Sequence, residues 1–323
     1  MEELLLCEDG EEVATRDAYG DALVELGTER EEIVVLDADV ANSTYTERFG
    51  RRFPERFFNL GLCEAHMIGV AAGLAQCGKI PFVSTFAIFA AQRALNQIFQ
   101  SVAYAQANVK IVVSHAGITV GEDGATHQAI DDIAIMRAMP NMTVIVPCDA
   151  EQTRAAVFAA AAYKGPVYIR LGRPAVRRIY ARCPFRIGRA LLLREGEDVT
   201  LLGCGITVGM CLDAAEVLAQ QGISAEVIDV PAVKPLDREA ILASARKTGA
   251  VVTAEEHTVV GGLGSAVAEV LCEEHPTPLL RIGIGDRMGQ SGPWKALLEA
   301  YGLTAGHIAR AARELVEERK RYT

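Results

Sequence analysis

The sequence predicts an α/β protein of two domains, a mostly parallel sheet domain followed by a smaller α/β domain. Three observations lead there. The chain has 323 residues, enough for about two independent cores. From residue 33 to residue 170, short β-branched runs alternate with amphipathic stretches, the pattern of strands joined by crossover helices. That pattern lapses across Arg173-Pro-Ala-Val-Arg-Arg-Ile-Tyr-Ala-Arg-Cys-Pro184, where prolines and arginines follow one another without an apolar period, and it resumes only after about Glu197. The expected organisation is a first domain over 13–176, a linker over 177–196 and a second domain over 197–318.

In chain order, the first-domain strands are expected at 33–37, 56–60, 80–84, 110–115, 143–146 and 167–170. The run Lys110-Ile-Val-Val-Ser-His115 has the continuous apolar character of a parallel strand covered on both faces. Helices are expected at 64–76, 86–107, 128–136 and 150–162. They are alanine-rich, which suits close packing, and the last opens on Asp149 with Gln152 three residues on, a capping-box signature. In the second domain, strands are expected at 199–203, 225–229, 250–255 and 279–284, and helices at 207–221, 238–246, 262–274 and 305–318. Gly261-Gly262-Leu263-Gly264 fits neither dinucleotide nor P-loop spacing and reads as a close-packed helix start.

Half of the residues are hydrophobic and 23% are charged, which excludes disorder for most of the chain. A net charge of −10 repels nucleic acid and anionic membranes, so neither is an expected partner. No run approaches the roughly 20 apolar residues of a membrane span, and the first ten residues lack the basic start of a signal peptide, so a cytoplasmic protein is expected. Eight cysteines without a CxxC pair suggest reduced thiols rather than a zinc site or disulfide ladder.

The most informative segment is Gly117-Ile-Thr-Val-Gly-Glu-Asp-Gly-Ala-Thr-His-Gln128, which packs acids, glycines and a histidine between a buried strand and a helix. It leaves the sheet at a strand's carboxyl end, where open α/β sheets place ligands, and His115 and His127 flank it. Glu64 stands where a strand hands over to an apolar helix: it is either a buried acid that needs a partner or a first-turn acid facing the helix dipole. Phe86 and Phe89 are three apart at a predicted helix start and could sandwich a flat ring, or serve as core. Asp37, Asp39 and Ser43 close the first strand with acids and small polar residues, which is compatible with a cap. Arg170 and Arg173 lie at the carboxyl end of the sixth strand, where a guanidinium suits phosphate or carboxylate.

In this order and at these separations, the segments DAD…NS, CEAH, STFAIF, SHAG, GEDGATHQ and RLGRP resemble the pyrimidine-binding domain of transketolase, and the remainder resembles the transketolase C-terminal domain. The resemblance implies thiamine diphosphate as cofactor and transfer of a two-carbon ketol unit between sugar phosphates. It assigns Glu64 to the aminopyrimidine N1′, Phe86 and Phe89 to stacking on and flanking that ring, Gln92 to its edge, and Asp39 to the thiazolium end. His115, Arg173 and Ser43 become ligands of the sugar phosphate, Asp123 a partner for a substrate hydroxyl, and His127 a donor to the reacting intermediate. The Gly-Asp-Gly motif that holds Mg²⁺ and the diphosphate in this family is missing. The implied arrangement is therefore the carboxy-terminal subunit of a split transketolase, assembled as α2β2 with a companion subunit that carries the Mg²⁺. No metal ligand is expected in this chain. Ala125 stands where the pattern usually has proline, and Gln92 where some relatives carry an aromatic residue. A 1-deoxyxylulose-5-phosphate synthase-like enzyme, a 2-oxo-acid dehydrogenase β subunit and a non-catalytic paralogue share the architecture and are the alternatives.

Overall fold

The structure, a computed structural model, describes residues 4–7 and 10–322. The reading of the first ten residues as lacking a signal peptide thus falls partly outside the described residues. The first domain contributes strands β1 (Ile33–Asp37), β2 (Phe57–Asn59), β3 (Ile80–Phe86), β4 (Lys110–Ser114), β5 (Thr143–Ile145) and β6 (Val167–Arg170). The second contributes β7 (Leu191–Arg194), β8 (Val199–Gly203), β9 (Ala225–Asp229), β10 (Ala232–Lys234), β11 (Val251–Thr258) and β12 (Leu279–Ile284).

Two sheets result, ordered β10-β5-β6-β4-β3-β1-β2 and β7-β9-β8-β11-β12. Pairing among β1–β6 is parallel throughout, so the carboxyl ends of these six strands lie along one edge. Register brings the ends together: Asp37 is opposite both Asn59 and Ser84, and Phe86 is opposite Ser114. This edge positions the candidate site.

Side chains alternate between the faces of the first sheet, as a period of two requires. Ile33, Val35, Phe82, Val112 and Ile169 face a layer formed by helices Thr15–Glu29 and Ala150–Ala162 with Phe49 and Phe53. Val34, Leu36, Val83, Ile111 and Val113 face Met67, Ile68 and Ala71, and that cluster runs on without a break through Leu202, Ile228, Leu263 and Val267 of the second domain. The domains therefore share a core.

Several expected elements differ. The helix expected over 86–107 is broken: Phe86 ends strand β3, a helix covers Ala87–Arg93, Ala94 leaves helical geometry, and a π-helical turn spans Ile98–Tyr104. The helix expected from 128 starts at Asp132, because Ala129 bridges to Ala116 and accepts the Gly117 N–H, which holds this stretch out of helical geometry. The stretch read as a linker is ordered by pairing: Ala175–Arg177 pairs with Glu12–Ala14, Tyr180–Arg182 with Leu5–Leu6, and β7 joins the second sheet. Asp149 explains part of that order. Its Oδ1 caps the following helix through Gln152 N at 2.8 Å, while its Oδ2 accepts Ile179 N and Tyr180 N at 2.7 and 2.8 Å. No helix among the described residues is long and apolar enough to cross a membrane.

Candidate active site

At the end of β1 the two acids divide. Asp37 is buried and structural: its oxygens accept from Val40 N, Thr44 Oγ1 and Thr46 Oγ1 at 2.7–2.8 Å, which shapes the loop that carries Ser43. Asp39 is exposed, adopts φ 64°, and accepts from Asn59 Nδ2 at 2.9 Å. Beyond β2, Glu64 opens the helix Glu64–Gln76 and is buried. It has found a partner, since Arg93 Nη1 donates to its Oε1 at 3.0 Å from a half-exposed position.

That arginine belongs to a stack. Its guanidinium lies 4.0 Å from the Phe89 ring centroid; Phe89 stacks on Phe86 at 5.5 Å and 16°; Phe86 stacks on His115 at 3.9 Å and 19°. His127 meets Phe89 edge-on at 5.5 Å and 71°. The sandwich expectation is corrected here. Two rings 5.5 Å apart already fill the space between them, since a third ring needs about 3.5 Å of van der Waals contact on each side. A flat ligand must take an outer face.

On the far side the site becomes cationic. His115 is buried at φ 56°, with Nδ1 2.8 Å from Ser114 Oγ. Burial, helped by Arg16, Arg173 and His127, lowers its pKa to about 3, so it contributes a neutral imidazole and no charge. The charge comes from two arginines. Arg173 donates to the Val120 carbonyl and lies 3.7 Å from Glu122. Arg16 Nε donates to the Arg173 carbonyl at 3.1 Å and its Nη1 to the Ser43 carbonyl at 2.7 Å. Burial lowers the pKa of Arg16 and neighbouring Arg173 adds to the effect, so the pair favours an anion between them.

Arg16 was missed in the sequence because helix Thr15–Glu29 precedes the first strand recognised there. A signal exists nonetheless: a cation in the first turn faces the positive end of the helix dipole and calls for a compensating purpose. Of the remaining candidates, Gln92 is exposed and donates to Asp131 Oδ2 at 3.0 Å, while Asp123 projects exposed from the glycine loop. That loop is two short 3-10 turns broken at Gly121, whose φ of 83° and ψ of −121° suit glycine. Among the described residues, no three His, Cys, Asp or Glu side chains cluster as a metal site.

Known proteins match both domains of this chain. Residues 11–178 match the transketolase pyrimidine-binding domain and residues 188–308 the transketolase C-terminal domain. The chain belongs to the transketolase family. It is similar to the 6-deoxy-6-sulfo-D-fructose transketolase subunit SqwH of Clostridium sp. (strain MSTE9), at 52% identity over 313 residues, 97% of each chain. It is also similar to one of the subunits of the apulose-4-phosphate transketolase of Phocaeicola vulgatus, at 38% identity over 95% of this chain and 98% of that one. A solved structure described as a split gene transketolase, inactive beta4 tetramer, superposes with a TM-score of 0.88 at 53% identity, over 95% of this chain and 99% of that one. The chain thus carries the carboxy-terminal portion of a thiamine-diphosphate-dependent transketolase.

The residues at this edge fit the pyrimidine end of that cofactor. A planar, nitrogen-rich group already rests on the outer face of Phe89 and donates to buried Glu64. An aminopyrimidine that replaced the Arg93 guanidinium would make the same two contacts.

Proposed function

We propose that this chain is the carboxy-terminal subunit of a split transketolase that moves a two-carbon ketol unit from a ketose bearing a terminal anion to an aldose of the same kind. The observation that carries this reading is the contact chain along one sheet edge. It starts at a buried carboxylate, passes through an aromatic column and ends at His115, whose imidazole feels the charges of Arg16 and Arg173. Such a site holds a flat ring at one end and a sugar anion at the other.

Thiamine diphosphate, when bound, would supply the carbon nucleophile for ketol transfer. Glu64 would share a proton with the pyrimidine N1′, a role suited to a buried carboxylate whose partner, Arg93, can be exchanged. Phe89 offers its outer face to the ring, and Phe86 and His115 back it. His127, edge-on to Phe89, donates to an oxygen of the reacting sugar, and exposed Asp123 accepts a substrate hydroxyl. Arg16 and Arg173 take the terminal anion, with neutral His115 and the Ser43 hydroxyl as hydrogen-bonding partners. Asp39 and Gln92 sit at the rim, toward the thiazolium and the pyrimidine edge.

Mg²⁺ and the diphosphate fall to a companion subunit carrying Gly-Asp-Gly, with two copies of each chain in the working assembly. Support comes from the relatives that align end to end, which are themselves named as subunits, and from the solved tetramer, described as inactive, whose chain this one nearly spans. A cytoplasmic place in sugar-phosphate exchange fits eight free thiols and an acidic surface. Because the anion site is two guanidiniums and a neutral imidazole, it accepts a sulfonate as readily as a phosphate.

The test is ketol transfer with thiamine diphosphate and Mg²⁺ by the chain alone and mixed with its Gly-Asp-Gly companion. Xylulose 5-phosphate and 6-deoxy-6-sulfo-D-fructose serve in parallel as donors. Transfer only in the mixture is expected. A stable, cofactor-loaded complex that uses neither donor would overturn the reading.

A further inference from the structure

The second domain contributes no side chain to the proposed cofactor and sugar contacts, yet it grips the loop that carries Asp123 and His127 at three places. Glu256, buried on β11, accepts the Thr119 N–H through Oε1 at 2.7 Å. Its carboxylate occupies the space beside Gly117, where a Cβ would stand 2.2 Å from Oε1, at a backbone φ of 77°. The Glu256 carbonyl is itself fixed by Arg170 Nη2 at 2.9 Å, and Arg170 is paired with Asp132. At the loop's other end, Gln128 Nε2 donates to Gln290 O at 3.0 Å as well as to Ile118 O and Gly121 O at 3.3 Å. Gly289 leaves no room above that amide: a Cβ there would lie 1.8 Å from Gln128 Oε1. Between these ties Ile118 is buried with Ile284, Leu297, Leu298, Tyr301 and Leu303. The loop leaves the first sheet but packs in the second domain's core.

We infer that Glu256 is a positioning residue for ketol transfer, and that the second domain acts in catalysis by fixing where Asp123 and His127 stand against Phe89. The inference rests on the reading of those two residues as sugar ligands. A loop flanked by glycines has little conformational preference of its own, so an external acceptor for its Thr119 N–H selects one arrangement among many. A misplacement of about 1 Å in such a loop costs as much as about a hundredfold in rate.

The experiment uses the reconstituted complex with thiamine diphosphate and Mg²⁺, and measures sugar kinetics and cofactor affinity separately. Glu256→Ala should lower kcat/KM for both sugars by about tenfold or more while the cofactor Kd stays within about twofold. Glu256→Gln keeps an oxygen that accepts the Thr119 N–H and should recover most of the loss. Gly289→Ala, on a surface segment, displaces the Gln128 amide and should give the same split even if Glu256→Ala fails to fold. In both variants, backbone hydrogen exchange over 118–128 should quicken. Folded Glu256→Ala or Gly289→Ala with wild-type sugar kinetics would overturn the inference, as would equal losses in the Ala and Gln variants at position 256. Asp123→Ala separates the two levels. If it is silent, the sugar reading itself falls; if it is damaging while Glu256→Ala is silent, only the positioning role falls.

Discussion

Arg93 and Glu64 meet at the mouth of the site, one half exposed and the other buried. A pair with one member in water gains little from its attraction, so Arg93 can yield to a better planar donor without a large loss. Glu64→Gln preserves size and most packing but cannot exchange a proton with a ring nitrogen. Turnover of the reconstituted enzyme should disappear while the thermal midpoint shifts by only a few degrees, on the order of 1 kcal/mol. Wild-type turnover in that variant would remove Glu64 from its role. At the other end, His115 has a pKa near 3 and stays neutral in the working range. His115→Ala should raise KM for anionic sugars more than it lowers kcat, the mark of lost uniform binding. For the same reason, wild-type KM should show no step near pH 6.5 attributable to this residue. These residues were legible to different degrees. Glu64, the two phenylalanines and the histidines lie in short segments beside recognisable strands. Arg16 reaches Ser43 and Arg173 only through the tertiary fold, across 27 and 157 residues.

At the scale of elements, strands buried on both faces were readable because one apolar run serves both faces: 33–37, 167–170, 199–203 and 225–229 stand where the sequence puts them, as does the half-buried edge strand 279–284. Helix Thr15–Glu29 escaped notice because it packs through glycine. Gly20 lies against Tyr45 and Gly27 against Phe49 and Phe53, with no room for a Cβ, so close packing looks like helix breaking. The three-residue ribbons of the linker were invisible because they are ordered by distant partners, among them a buried knot of acids. Asp229, at the end of β9, accepts from Tyr180 and Gln152 at 2.7 and 2.5 Å, tying strand, linker and first-domain helix together. Burial raises its pKa to about 7. A carboxyl protonated in the fold but ionised in the unfolded chain stabilises fully below about pH 4 and loses its contribution as pH rises toward 7. Asp229→Asn removes that titration. Compared by thermal melts, wild type should hold a larger advantage over the variant near pH 5 than near pH 8. A constant difference would show that Asp229 is ionised throughout.

Across the whole molecule, the carboxyl edge is open on one side, and apolar surface continues outward from it. Arg93 begins a groove lined by Leu95, Phe99, Ile135, Ala138 and Met139, and Phe99, Leu62 and Tyr104 are large side chains left in water. An apolar face contiguous with a cofactor site is expected to be covered in the assembly, because its exposure is costly and covering it closes the site. The face is apolar and runs on from Arg93 beside the proposed cofactor site, so a second copy of this chain is the expected occupant. Phe99→Glu tests this without disturbing the core, since Phe99 is 45% exposed. The variant should keep its thermal midpoint, sediment as a smaller species than wild type, and bind thiamine diphosphate poorly even with the companion subunit present. Wild-type mass and cofactor affinity in Phe99→Glu would place the subunit contact elsewhere and leave this groove without a covering partner.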